Sequence, residues 1–464
     1  MPSPPHADTA PHGTAPSALG LDGSLHAFRV IVAYSPDPTV IGLPRVIGAE
    51  GLVIGREAAG LSIPDPTASR EHVTLDTDGV RVRLRDLKSR NGVFVMGARL
   101  ETAELAHGDV FRVGDHCFVV QALTANDVEQ LLVPTDRKSA LLGESVAMRA
   151  LRTRTAIAAP GSSPVLVLGE SGSGKELVAA ELHRLSGRRG AFVPVNCAAI
   201  PDELAESELF GHARGAFSGA LSASDGLFGA ADGGTLFLDE IGETSTATQA
   251  RLLRALADGE VRRVGEQQAK KREVRVLAAT NVDLDLAVEA GRFRGDLLAR
   301  LRGHVLHVPP LRARREDVIP LAVAYSTRPS PDQLASAAAV ASSLTPDAAE
   351  ALLVHGYPWN VRELVQVMRA LPSGTDRIKL GHLPKSMRAP LAGRSHSAPA
   401  PPPTLAILDV RPDATPNETE LRTVLAHFAG NVSKVADFFG KERKQIYRWA
   451  ERHGVNLEGV RESE

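Results

Sequence analysis

The sequence predicts a multidomain chain in which an all-β sandwich precedes an α/β domain, a helical segment and a small all-α unit. Three observations carry this reading. Between residues 27 and 123, short apolar alternations are separated by Gly, Pro and Asp, the pattern of a small β-sandwich. From 139 to 308, apolar strands alternate with helical patterns, which predicts a parallel sheet. The stretch "RAPLAGRSHSAPAPPPT" (388–404) is a Pro/Ala/Ser linker that cannot build a core, so the segment beyond it forms a unit of its own.

Taken in order, residues 1–24 are rich in Pro, His, Ala and Ser and read as a flexible leader. The sandwich occupies 25–124, with "VIVAY", "VRVRLRDL", "GVFVMG" and "DVFRVGDHCFVVQ" as its clearest strands, and 124–138 reads as a polar link. The α/β domain (139–308) has "PVLVLG", "GTLFLD" and "VRVLAATN" as strands, and 309–388 looks wholly helical. The linker runs 389–416 and the closing helical unit 417–464. A net charge of −2 leaves a nucleic-acid partner open, because a local basic patch can sit within a neutral total. Cys117 and Cys197 lie far apart in apolar contexts, which predicts buried, reduced thiols. There is no apolar run of membrane-spanning length and no apolar signal core, so the expected location is cytoplasmic, with no membrane partner.

The strongest chemical signal is "VLVLGESGSGKE" (165–176). An apolar strand runs into Gly169, Glu170, Ser171, Gly172, Ser173 and Gly174, and a helix opens with Lys175 and Glu176. Glycines let backbone N–H groups converge on phosphate oxygens, the helix N-terminus adds its dipole, and Lys175 reaches the terminal phosphates. Glu176 stands where the phosphate-loop pattern has a Ser or Thr ligand for Mg²⁺, so metal binding must lean on another carboxylate. "GGTLFLDE" (233–240) supplies it at the end of a parallel strand. Asp239 is placed to hold Mg²⁺ through water, and Glu240 to orient or deprotonate an attacking water. "VLAATN" (276–281) ends in Thr280 and Asn281, polar groups suited to sensing a γ-phosphate. ATP and Mg²⁺ are the cofactors these motifs call for.

One further stretch, "ELFGHARGAFSGA" (208–220), sets a scarce aromatic, Phe217, among Gly and Ala. It is too Gly-rich for a stable helix and too poor in branched side chains for a core strand. With the phosphate loop, it makes residues 139–388 and the C-terminus resemble the bacterial enhancer-binding proteins, AAA+ activators of sigma-54 RNA polymerase. The resemblance implies that Gly215, Ala216, Phe217, Ser218, Gly219 and Ala220 form the sigma-54-contact loop, Ser218 replacing the family's Thr. It implies that Asn196 of "VNCAAI" holds the catalytic Glu240 in check. Arg294 and Arg300 of "GRFRGDLLARL" fall at arginine-finger positions, acting on ATP in the neighbouring subunit of a hexameric ring. "PPLRARREDVIPLA" opens the family's helical lid. "YPWNVREL" (357–364) looks like the second sensor motif, Arg362 reaching ATP, with Trp359 where the family usually has Gly. The family's own phosphate loop carries Glu after Lys, as here.

At the C-terminus, Ala436, Gly440 and Ile446 fall at offsets that suit a helix-turn-helix. Its second helix, about 442–452, carries Arg443, Lys444, Gln445, Arg448 and Arg452 for DNA, with Gln445 and Arg448 as base readers. Leu421, Val424, Leu425 and Phe428 form a stripe suited to pairing with a twin. This unit resembles the Fis-type DNA-binding domain, whose dimer would read a near-palindromic enhancer. The sandwich carries a second resemblance, to forkhead-associated (FHA) domains, in "IGRE" (54–57), "SREH" (69–72) and "SRNG" (89–92). It implies that Arg56, Ser69 and Arg70 hold the phosphate of a phosphothreonine protein, Asn91 holds the peptide backbone, and His72 braces the loop. Val93 and Met96 replace the Thr and Asn common after "NG". The expected function is ATP-driven activation of sigma-54 transcription from enhancer DNA. The alternatives are a DNA-binding regulator with a non-productive ATPase, and an AAA+ remodeller of other proteins.

Overall fold

The computed structural model describes residues 25–133, 139–217, 220–325, 344–371, 377–391, 416–427, 432–439, 441, 443–453 and 455. The leader, Ser218, Gly219, Phe428 and Gly440 therefore lie outside the described residues. The first compact unit holds the sandwich, the α/β domain and the helical segment; the second begins in the linker and holds the terminal helices.

Eleven strands make the sandwich: β1 (Leu25–Tyr34), β2 (Pro44–Ile47), β3 (Leu52–Gly55), β4 (Leu61–Ser62), β5 (Val73–Thr77), β6 (Val82–Asp86), β7 (Val93–Val95), β8 (Ala98–Leu100), β9 (Thr102–Leu105), β10 (Val110–Val113) and β11 (His116–Thr124). They form two sheets, ordered β2-β1-β11-β10-β7-β8 and β4-β3-β5-β6-β9. The apolar run "DVFRVGDHCFVVQ" is a hairpin rather than one strand: Gly114 (φ +57°) turns the chain, and Val113 pairs with His116.

Every residue of β11 is buried, because both faces of the strand are covered. Phe118, Val120 and Ala122 point into the sandwich core with Val30, Val32 and Val73. Cys117 and Val119 point the other way, into a core shared with the helical segment through Leu344, Ala348, Leu352 and Met387. Residues 125–132, expected as part of a polar link, are a helix (Ala125–Leu132). Thr124 and Asp127 close its first turn reciprocally, each side chain accepting from the other's backbone N–H.

The α/β domain has five parallel strands: β12 (Val165–Leu168), β13 (Phe192–Asn196), β14 (Thr235–Asp239), β17 (Arg275–Thr280) and β18 (His304–His307), ordered β13-β14-β17-β12-β18. A small hairpin, β15 (Glu260–Val261) and β16 (Lys270–Lys271), lies outside that sheet. A lid of helices Val318–Ala324, Pro346–Val354, Asn360–Ala370 and Lys385–Arg388 follows. Between body and lid lies a joint of two short 3-10 turns, Leu311–Ala313 and Arg315–Asp317. The Asp317 carboxylate ties that joint to the body, accepting from the N–H groups of Glu144 and Ser145 and from the Ser145 hydroxyl.

The sandwich is fastened on both sides of the joint. On the lid side, Tyr34 Oη donates to Leu344 O (2.6 Å) and Arg112 Nε to Glu350 Oε2 (2.7 Å). At the joint, Gln121 Nε2 donates to Glu316 Oε1 while its own oxygen accepts from Arg29. On the body side, helix Ala125–Leu132 lies against helix Val146–Ala158, with Arg149 donating to Leu131 O (3.4 Å).

In the second unit, helices Glu418–His427, Val432–Phe438 and Arg443–His453 close on one another. This corrects the expectation of a twin-facing stripe: Leu421, Val424 and Leu425 are buried in the unit's own core with Val435, Ala436, Ile446 and Trp449. A domain this small has little other apolar surface to fold around. Among the described residues no helix is long and apolar enough to cross a membrane.

Candidate functional site

Strand β12 delivers the chain to Gly169, and the loop turns through Gly172 (φ +73°) and Gly174 (φ +110°) before helix Lys175–Ser186 begins. Both glycines occupy a region that L side chains rarely adopt. Lys175 is buried, its Nζ donating to Gly169 O (3.1 Å) and lying 3.5 Å from Glu240 Oε1. Glu240 follows directly on β14 in the left-handed region (φ +52°), a strained setting for a residue other than Gly, Asn or Asp. Its other oxygen accepts weakly from Asn281 N–H (3.4 Å). Burial, and then the neighbouring Glu240 charge, raise the Asp239 carboxyl above the usual range. A cation would relieve that repulsion. Among the described residues, the buried Ser173 hydroxyl has no hydrogen-bond partner. A left-handed glycine loop, a buried lysine, an unmatched hydroxyl and a crowded acid pair together fit a nucleotide phosphate with a divalent cation.

The lid grips this loop from the other side. Arg312 holds the Glu170 carboxylate in a bidentate pair and lowers its pKa. Asn360 donates to Glu170 and to Ser171 O, Arg362 donates to Ser171 Oγ (3.1 Å), and Arg314 to Ser173 O (3.3 Å). Glu170 is thus committed to the lid and does not point at phosphate. Sequence reasoning found Arg362 but missed Arg312, Arg314 and Asn360; the arginine run in "PPLRARRED" was the available signal.

Other expected residues are spent locally. Asn196 lies opposite Asp239 in the β13–β14 register, but its Oδ1 accepts from Ala198 N–H, capping its own turn rather than binding Glu240. The Thr280 hydroxyl accepts from Val282 N–H.

Beyond helix Asp202–Phe210, the described residues 211–217 and 220 are drawn together by backbone hydrogen bonds. Gly215 (φ +78°) donates to Ala220 O (2.8 Å), and Ala220 to Phe217 O (3.0 Å). The base of this segment is stitched to the 260–271 hairpin through Ala213 N–H to Val264 O and Val264 N–H to Gly211 O. Phe217 rests edge-on against His212, ring centroids 5.1 Å apart, and stays 42% exposed. Ala216 packs beside Gly265, and Ala220 is buried.

On the sandwich, three loops converge. Arg56 N–H donates to Ser69 O (2.8 Å), the Ser69 hydroxyl accepts from Arg90 N–H (3.1 Å), and Asn91 Nδ2 donates to Thr67 O (2.6 Å). His72, wholly buried, accepts from Ser69 N–H and donates to Gly92 O, so it braces the loops as expected. Gly55 lets the Arg56 strand approach Arg70 O; a side chain there would overlap that oxygen. Arg56 and Arg70 are left exposed, flanking Glu57.

Comparison with known families bears on all three regions. Residues 52–114 match the FHA domain, 141–307 the sigma-54 interaction domain, and 312–400 the AAA+ ATPase lid domain. The chain carries a sigma-54 interaction AAA+ ATPase domain behind an FHA domain. It is 49% identical over 251 residues to the response regulator protein PilR of Pseudomonas aeruginosa, covering 54% of this chain and 55% of that one. It is 48% identical over 225 residues to the transcriptional regulatory protein ZraR of Klebsiella oxytoca, covering 48% and 50%. A crystal structure of NtrX from Brucella abortus, 31% identical, covers 71% of this chain and 70% of that one with a TM-score of 0.48. The chain thus spans about half the length of the curated relatives named here.

Within the ATPase domain, Arg294 forms a bidentate ion pair with Asp296, and Arg300 donates to Leu256 O and Ala257 O at the end of helix Thr246–Asp258. Among the described residues neither bonds to the phosphate loop of its own chain. In the terminal unit, Arg443, Lys444, Arg448 and Arg452 are exposed on helix Arg443–His453 and Gln445 is half-buried, while Ile446 and Trp449 hold the helix to its core. The exposed Tyr447 among these cations was not singled out from the sequence.

Proposed function

We propose that this protein is an ATP-dependent activator of sigma-54 RNA polymerase transcription. What supports the reading is the joining, in one domain matched to the sigma-54 interaction family, of the phosphate loop with its buried lysine and an exposed Phe217. Lys175 neutralises the terminal phosphates, and Asp239 takes Mg²⁺ through water, where Ser or Thr would otherwise serve. Bound ATP with Mg²⁺ supplies an activated phosphoryl group and the charge neutralisation its transfer needs. Lys175 and Glu240 face each other across 3.5 Å. As Lys175 turns to phosphate, Glu240 is released to take a proton from the attacking water. The left-handed backbone at Glu240 (φ +52°) costs of order 1–3 kcal/mol, which the packed end of β14 sustains and which sets the base just beyond the strand.

Thr280 and Asn281 read the γ-phosphate and Arg362 the lid side, while Asn196 reaches Glu240 only on leaving its cap on Ala198. Arg294 and Arg300 act on the neighbouring subunit's nucleotide in a hexameric ring. Gly215–Ala220, including Ser218 and Gly219, then press Phe217 on sigma-54. Arg443, Lys444, Gln445, Arg448 and Arg452 bind enhancer DNA through the terminal unit, which dimerises. Arg56, Ser69, Arg70 and Asn91 hold a phosphothreonine protein, a fork of donors suited to a dianion.

The deciding experiment is Phe217→Ala. ATPase and DNA binding should stay near normal while open-complex formation at a sigma-54 promoter is lost. Full sigma-54 transcription from the purified variant overturns the assignment of the loop.

A further inference from the structure

The lid helix Asn360–Ala370 begins without a side-chain cap, and Trp359 before it sits at φ −109°. The left-handed residues fall instead on Tyr357 (φ +50°) and Asn360 (φ +52°). Asn tolerates this conformation better than most residues with a side chain. Here it sets the side chain wholly inside the protein, with both ends used. Asn360 Oδ1 accepts from Leu311 N–H (2.8 Å) at the joint. Asn360 Nδ2 donates to Glu170 Oε2 (3.1 Å) and to Ser171 O (3.1 Å) on the phosphate loop. The reverse amide orientation would set an oxygen against two acceptors, so the network fixes it.

One amide therefore holds together the phosphate loop, the joint and the helix that carries Arg362. Directly above, Arg362 N–H donates to Gly172 O (3.4 Å), and Gly172 packs on Trp359 O and Arg362 Cβ with no room for a side chain. We infer that Asn360 is a positioning residue for ATP turnover, fixing lid and phosphate loop in one alignment so that Arg362 meets the nucleotide. The inference rests on the ATPase reading. The chemistry is specific to Asn: Asp has no donor for Glu170, and Ser is too short to serve both sides.

The test uses full-length protein, steady-state ATPase, binding of a fluorescent ATP analogue, and thermal unfolding. Asn360→Gly keeps the left-handed backbone and deletes the amide. It should raise KM for ATP about tenfold, weaken analogue binding in step, and lower kcat less. Asn360→Asp sets a carboxylate against Glu170 and should be worse. Adding Glu170→Gln to it restores a donor–acceptor pair of reversed polarity while keeping an oxygen for Arg312. That double variant should recover at least half of the loss in log KM, with Glu170→Gln alone as the control. A wild-type KM in Asn360→Gly, or equal KM values for Asn360→Asp with and without Glu170→Gln, overturns the inference. A wild-type chain that binds the analogue but hydrolyses no ATP overturns the ATPase reading instead.

Discussion

Arg112→Ala should loosen the FHA domain from the ATPase lid. Arg112 is 13% exposed and Glu350, on helix Pro346–Val354, 1% exposed, with 2.7 Å between nitrogen and oxygen. Deleting one partner of a buried pair costs about 3–5 kcal/mol, because the surviving buried charge loses its 2.7 Å counter-charge. Lost stacking of the guanidinium on Phe94, 4.2 Å away, adds up to about 1 kcal/mol. The expected total is about 4 kcal/mol. Hydrogen exchange of the full chain measures it: amides of β10 and helix Pro346–Val354 should lose protection together. Arg112→Ala with Glu350→Ala should recover part of the loss, since neither buried charge then remains. Protection within about 0.5 kcal/mol of wild type in the single variant would falsify the clamp.

Two further outcomes follow from other groups. Burial, and then the Asp317 charge, push Glu316 up to about 8, with Arg29 and Arg314 pulling the other way. The folded protein then keeps a proton that the unfolded chain releases above about 4.3, so stability falls as pH rises towards 8, by at most about 1.4 kcal/mol per pH unit. Glu316→Gln should flatten that slope in urea unfolding between pH 5 and 8; an unchanged slope contradicts the assignment. For subunit cooperation, Arg294→Ala mixed with Glu240→Gln should regain ATPase activity at interfaces with one intact half from each parent. No recovery in verified mixed rings would count against action between subunits.

The phosphate-loop half of the site was legible because its chemistry is local. Gly172, Gly174 and Lys175 sit within four residues, and Asp239–Glu240 end an unmistakable apolar strand. The lid half was not, because Arg312, Arg314 and Asn360 act on a loop about 140 to 190 residues away, and no periodicity announces such a pairing. Strand β13 escaped notice because its half-exposed "FVPVN" carries a proline at a sheet edge, where the missing N–H is tolerated. The helix at 125–132 was read as link because eight residues hold only two turns of pattern. Conversely, Leu421, Val424 and Leu425 showed the right helical period, but periodicity names the buried face without naming what buries it. The run "HCFVVQALT" could have revealed the sandwich–lid contact: a strand apolar on both faces needs a second cover.

That cover has a thermodynamic corollary. The FHA domain is anchored to the lid by Tyr34 and Arg112 and to the ATPase body by helix Ala125–Leu132, straddling the joint at 311–317. A part riveted to both arms of a caliper senses the opening of its jaws. If nucleotide prefers one lid angle, it must alter how firmly the sandwich is seated, and a peptide on the Ser69 loop that alters the seating must alter nucleotide affinity by the same factor. The chain from the Asn91 loop to the lid is short: Asn91 bonds to Thr67, Thr67 to Asp65, Asp65 to Asp115 and His116, and across that same turn Arg112 holds both Gly114 O and Glu350. On the proposed reading, nucleotide and phosphopeptide would each feel the other through the seating of one domain, without ever meeting.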